Sequence, residues 1–252
     1  WVGDWSGRRA SLSPERVGLV DATTGTEYTY AELDERAEQT AAALAAAGVA
    51  HGDHVLVVSR NRPALVDLFF ATGKLGAVLA PVSHRLAPPE LEELAARVDP
   101  TAMIIEESVA ELSSPLHAGA DEPEVFVIGE QSSGDQHTSL DGTSLAAARE
   151  HASETPTEPS VSLSDPHLLL HTGGSTGTPK ETVVPHRAVY WNSMTTIAAW
   201  GLRQADTTPM PFPMFHTGGW NVLTVPLFHV GGTVIIAREF DPGEVLRLLT
   251  KR

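Results

Sequence analysis

Between residues 29 and 106 the chain alternates between two hydrophobic periods, and this alternation constrains the fold more than any other feature. Thr29-x-x-Glu32 reads as a capping box opening a helix that runs to about Ala47, with Gly48 as its stop. Leu33, Ala37, Ala41 and Leu44 form its apolar stripe. His54–Ser59 reads as a buried strand, followed by a helix from about Pro63 to Thr72 with Leu65, Leu68 and Phe69 facing inward. Ala77–Val82 is the next strand, Pro88-Pro89 starts another helix, and Thr101–Glu106 is another strand. Strands joined by helices build βαβ units, so the fold class is α/β, with mostly parallel sheets flanked by helices.

Beyond this region the pattern loosens. Residues 107–166 are rich in Ser, Pro, Gly, Asp and Glu, with a strand expected at Val125–Ile128, a short helix at Ser144–His151 and an exposed loop at Ser153–Asp165. Residues 167–252 carry a strand at Thr182–Val184, a helix at Arg187–Trp200 closed by Gly201, and a strand at Thr233–Ala237. The proline-punctuated stretch Pro209–His216 cannot form a regular central strand, because prolines remove ladder donors. Asp241-Pro242-Gly243-Glu244 opens a last helix that stops at Arg252, so the chain is expected to be a fragment of a longer protein. It starts at Trp1 rather than Met, which points the same way. His-Thr-Gly-Gly occurs at His171–Gly174 and again at His216–Gly219, but the flanks differ and no internal repeat follows.

Charge and cysteine content exclude several functions. The formal net charge is −15, so nucleic acid is not an expected partner. No run approaches the roughly 20 apolar residues of a membrane span. Cysteine is absent and no signal peptide is visible, which together predict a cytoplasmic protein. Only three lysines occur, Lys74, Lys180 and Lys251, as fits a salt-adapted or a GC-rich source equally.

One of these lysines ends a conspicuous loop. The apolar strand Leu169-Leu170 runs into His171-Thr172-Gly173-Gly174-Ser175-Thr176-Gly177-Thr178-Pro179-Lys180. Small residues let backbone N–H groups turn toward an anion, glycine tolerates the positive φ this needs, and hydroxyls and a lysine add donors and charge. The spacing does not fit a Walker loop, since Pro179 stands at its last glycine and Glu181 at its Ser/Thr position. The dinucleotide fingerprint fails as well. Gly173–Gly177 matches the G-x-S-x-G nucleophile elbow, with Ser175 as nucleophile and Asp206 with His216 or His229 as partners, giving an esterase alternative. Against it, only 77 residues follow Ser175, and β-favouring Thr182-Val183-Val184 stands where a helix should begin.

Leu169 through Lys180 resembles the phosphate-binding signature of the adenylate-forming superfamily at every position. Tyr28-Thr-Tyr-Ala-Glu-Leu33, Lys74-Leu-Gly-Ala-Val-Leu-Ala-Pro-Val82, Pro213-Met-Phe-His216 with Gly218-Gly219, and Gly231-Gly232 are similar to further segments of that family, in order, and closest to acyl-CoA synthetases. The resemblance implies that the chain is the N-terminal part of a large adenylate-forming domain, without its C-terminal domain. It implies two steps: a carboxylic acid attacks the α-phosphorus of ATP, giving an acyl-adenylate and pyrophosphate, and the thiol of coenzyme A then takes the acyl group. Mg2+ would come with ATP, and no structural metal is expected. Thr172, Gly173, Gly174, Ser175, Thr176, Gly177 and Thr178 would wrap the phosphates, and Lys180 would hold the outer phosphates or the leaving pyrophosphate. His216 would lie near the acyl carboxylate and thiol tunnel. Trp220 would line the acyl pocket, although an aromatic at that spacing equally suits the core. One position departs from the family: Glu181 stands where glycine usually follows the loop lysine, and the strand pleat should turn its carboxylate away. The family's later Tyr-Gly-x-Thr-Glu segment, ribose-binding Asp and C-terminal lysine are absent, so this stretch alone should not complete the reaction. A non-catalytic nucleotide-binding or scaffold domain of the same family is a further alternative.

Overall fold

A computed structural model describes residues 1–112, 123–129, 142–152, 160–172 and 180–250. The chain opens with α1 (Trp5–Leu12), β1 (Val17–Asp21) and β2 (Glu27–Thr29), none of which has a strong period of its own. The expected capping box then starts α2 (Tyr30–Ala46): Thr29 Oγ1 accepts from the Glu32 N–H, and the Thr29 N–H donates to Glu32 Oε2 at 2.7 Å. Leu33, Ala37, Ala41 and Leu44 are all buried, as their spacing requires.

The βαβ units follow in the expected order. They are β3 (His54–Val58), α3 (Pro63–Leu75), β4 (Val78–Val82), α4 (Pro88–Val98) and β5 (Ala102–Glu106). Helix α3 runs a turn past the expected Thr72 and ends where Gly76 takes a left-handed φ of 66°. Gly73 does not end it, because the helix lies wholly in the interior, where packing outweighs propensity. Next come β6 (Glu124–Ile128), β7 (Thr143–Ser144), α5 (Leu145–His151), β8 (Pro166–Thr172) and β9 (Lys180–Pro185). The chain continues through α6 (His186–Trp200), β10 (Thr207–Met210), α7 (Thr217–Asn221), α8 (Thr224–Val230), β11 (Thr233–Ile236) and α9 (Pro242–Thr250). Of the loop expected at 153–165, residues 153–159 lie outside the described residues.

Two sheets result. One has seven strands in the order β7-β6-β5-β3-β4-β8-β9, and the other has four in the order β10-β11-β1-β2. All pairings are parallel except β8 with β9 and β1 with β2. The proline-bearing β10 takes an edge position, where Pro209 costs no central ladder bond. The regions 1–106 and 167–252 interleave, since β1 pairs with β11 and β4 with β8.

Alternate residues of the large sheet serve two cores. Val55, Val57, Leu79, Ile104 and Leu170 join a core shared with α2, α3, α8 and the small sheet. Leu56, Val58, Ala80, Ile105 and Leu169 face the other way, onto Leu91, Leu94, Ala95 and Val98 of α4. This placement brings the carboxyl ends of β3, β5 and β11 together at one edge, the usual place for a ligand in a parallel α/β sheet.

Candidate functional site

Residues 173–179 connect two antiparallel strands. β8 leads into them and β9 follows, with Leu169 opposite Val183, His171 opposite Glu181 and Thr172 opposite Lys180. Gly173, Gly174, Ser175, Thr176, Gly177 and Thr178 lie outside the described residues, as does the side chain of Thr172. Lys180 is the exposed first residue of β9. A nucleophile elbow needs a strand–turn–helix, and here the loop returns as a strand, so the Ser175 esterase reading lacks its scaffold.

Glu181, the departure from the expected glycine, has a defined partner. Its Oε1 accepts from Arg97 Nε at 2.8 Å, and Arg97 Nη1 also donates to Glu93 Oε1 at 2.8 Å, one turn earlier on α4. The Arg97 hydrogen bond holds the Glu181 carboxyl below its ordinary range. Pleat alternation puts Glu181 on the α4 side, as Leu169 shows, and Lys180 on the opposite face. The expected diversion of the carboxylate is therefore present, and a helix from another βαβ unit completes it.

The second part of the site is the irregular segment 211–216. Asn61, buried between β3 and α3, spends its amide on three backbone groups. Its Nδ2 donates to Phe212 O at 2.9 Å and Ala237 O at 3.1 Å, while its Oδ1 accepts from Met214 N at 2.9 Å. The amide thus ties the end of β11 to the segment that carries His216. A Cβ on Gly219 would lie 2.5 Å from Pro213 O, so only glycine lets α7 begin this close. His216 is exposed and is held through its backbone, with its N–H donating to Pro213 O and its carbonyl accepting from Gly219. Neighbouring Phe215 meets His84 edge-on, with ring centroids 5.8 Å apart. Burial, with the charges of Arg60 and Arg85, holds His84 below its ordinary value.

Beside this segment, at the end of β5, Glu106 is buried. It accepts from Ser59 Oγ at 2.9 Å and the Arg60 N–H at 2.8 Å, and also from Ser108 and the guanidinium of Arg238. Burial alone would raise its pKa, but the bonds from Ser108 and Arg60 and the charges of Arg238 and Arg62 outweigh that and lower it. Glu106 therefore locks the ends of β3, β5 and β11 together.

Trp220 lies in the interior. Its indole stacks on Phe69 at 4.8 Å and 16°, and its N–H donates to Met214 O. Lys74, prominent in the sequence, is buried and ion-paired to Asp4 at 2.7 Å and Asp34 at 2.9 Å, joining α1, α2 and α3. Sequence reasoning missed Asn61, Arg97 and Glu106. The contacts that matter here, Asn61 with Phe212 and Ala237, Arg97 with Glu181, and Glu106 with Arg60 and Arg238, span tens of residues and leave no periodic or motif signal. Among the described residues no cluster of three or more His, Asp or Glu is arranged to hold a metal, and no helix is long and apolar enough to cross a membrane.

Comparison with known proteins gives the family of the chain. The family model described as AMP-binding enzyme matches residues 7–252. A feruloyl-CoA synthase from Amycolatopsis sp. is 34% identical over 97% of the chain and 45% of its own length. An indoleacetate–CoA ligase from Aromatoleum aromaticum is 30% identical over 95% of the chain and 46% of its own length. The inhibitor-bound crystal structure of the N-terminal domain of FACL13 from Mycobacterium tuberculosis superposes with a TM-score of 0.84 at 28% identity, covering 99% of this chain and 60% of that one. The chain belongs to the AMP-binding enzyme family. It spans about half the length of the curated relatives it matches.

Proposed function

We propose that the chain is the phosphate-gripping half of an AMP-forming acid–thiol ligase of the acyl-CoA synthetase type. The observation that carries this reading is the β8–β9 hairpin, which presents a hydroxyl- and glycine-rich loop with Lys180 at its exit and the Glu181 charge diverted to Arg97. Such an exit suits a triphosphate, because the lysine's field is not cancelled by its neighbour. In this reading Thr172–Thr178 donate N–H and O–H groups to the phosphates of ATP, and Lys180 stabilises the charge that builds on leaving pyrophosphate. His216, exposed at the start of α7 and fixed through its backbone, meets the acyl carboxylate or the incoming thiol of coenzyme A. Mg2+ enters with ATP. Trp220 acts from behind the acyl pocket by holding Met214 and Phe69 in place. Like the relatives named above, the protein would take a small carboxylic acid, and its cysteine-free composition suits a cytoplasmic setting.

The test is exchange of radiolabelled pyrophosphate into ATP by the whole protein across aliphatic and aromatic carboxylic acids. Acid-dependent exchange is expected, falling about a hundredfold in Lys180→Ala. A scaffold domain would give no exchange with any acid. Ester hydrolysis abolished by Ser175→Ala would sink the ligase reading.

A further inference from the structure

We infer that Arg97 is a charge-masking residue for the triphosphate grip: by pairing with Glu181 it keeps a carboxylate beside Lys180 from opposing the bound polyanion. The inference deepens the ligase reading and rests on it. Glu181 follows Lys180 directly in β9, at the point where the loop re-enters the sheet. Adjacent Cα atoms are about 3.8 Å apart and the two side chains take opposite faces, so an unpaired carboxylate there stands roughly 10 Å from the Lys180 ammonium, about one Debye length. Arg97 is the only basic group contacting Glu181 among the described residues, and it arrives from α4, which is covalently remote from the loop. Its second partner, Glu93, is mostly exposed and screened by water, so the guanidinium's charge is spent chiefly on Glu181. His171, across the ladder from Glu181, is half-buried, and that burial lowers its pKa, so Arg97 remains the principal cation acting on Glu181. The masking of Glu181 therefore rests chiefly on one arginine.

A masking residue is needed only while there is a charge to mask. The experiment compares Arg97→Ala, Glu181→Gly and the double variant in the whole protein, by the KM for ATP in pyrophosphate exchange and by calorimetric ATP binding. Arg97→Ala should raise KM and Kd for ATP about five- to tenfold with kcat within twofold, and the defect should shrink at high salt. Glu181→Gly should change little, and adding it to Arg97→Ala should restore near wild-type ATP binding. Arg97→Lys, which keeps the charge, should remain within about threefold of wild type. An unaltered KM in Arg97→Ala overturns the inference while leaving the ligase reading intact. A double variant as impaired as Arg97→Ala also overturns it, because Arg97 would then act on the phosphates directly or on folding. A wild-type protein that neither binds ATP nor exchanges pyrophosphate overturns both.

Discussion

Acidification should unfold this protein through its buried histidines before its carboxylates titrate. His167 on β8 and His186 at the start of α6 stack with ring centroids 4.2 Å apart, both buried. His167 Nε2 is bonded to Phe69 O at 3.1 Å, whereas both ring nitrogens of His186 lack partners among the described residues. Burial pushes His186 down to about 4 and His167 well below its ordinary value. His229, packed among Trp1, Trp5 and Tyr190, is likewise lowered by burial to about 4. The charged groups facing the stacked pair are Asp165, which favours protonation of His186, and His51, which opposes it. These two are themselves paired at 3.1 Å, and the Ser162 hydroxyl and N–H keep Asp165 ionised down to about 2.

A histidine neutral when folded and free to protonate when unfolded makes the unfolded chain bind more protons. Stability therefore falls as pH drops below about 6.5, and goes on falling until the folded value is reached. From about pH 7 to about pH 5 His186 and His229, each lowered to about 4, remove about 2 kcal/mol apiece, and His167 acts in the same direction. That is a large share of a typical 5–15 kcal/mol. The assay is denaturant unfolding across this range for wild type and His186→Phe, a swap that keeps a ring against His167. The variant should lose about 2 kcal/mol of the pH dependence and stay within about 1.5 kcal/mol of wild type near pH 7. A wild-type loss below about 1 kcal/mol over that range, or an undiminished slope in His186→Phe, refutes the reasoning.

Two further substitutions separate structure from chemistry at the second part of the site. Asn61→Ala removes three hydrogen bonds and strands buried backbone groups, so it should cost about 3 kcal/mol and lower the melting temperature by about 6–12 °C. A shift below about 2 °C in scanning calorimetry would show that water replaces the amide. His216→Ala removes an exposed side chain and should leave stability within about 0.5 kcal/mol. Thioester formation should nevertheless fall at least tenfold, read by coenzyme A consumption, and an unchanged rate would remove His216 from the chemistry.

Most of the architecture was legible in the sequence because local physics writes it there. The Thr29–Glu32 box, the stripe on α2 and the alternation of β3 are near-neighbour patterns set by helix and strand periods, and each stands within a residue or two of its expected place. The helix α1 and strands β1 and β2 were not read. Helix α1 is polar on average, and β1 becomes a strand by pairing with β11, more than two hundred residues away. The proposed chemistry of the loop was read for the same local reason: glycines, hydroxyls and a lysine in sequence suit an anion without knowledge of what surrounds them. The sequence by itself thus determined the fold class and the family, and it set the order of the residues proposed to meet the phosphates. Only the tertiary structure decided which residues make that site workable. Arg97 answers Glu181, Asn61 fixes the segment bearing His216, and Glu106 draws three strand ends together. Charge pairing and hydrogen bonding act through space, and nothing in the order of residues along the chain records which groups folding will bring within about 3 Å of one another.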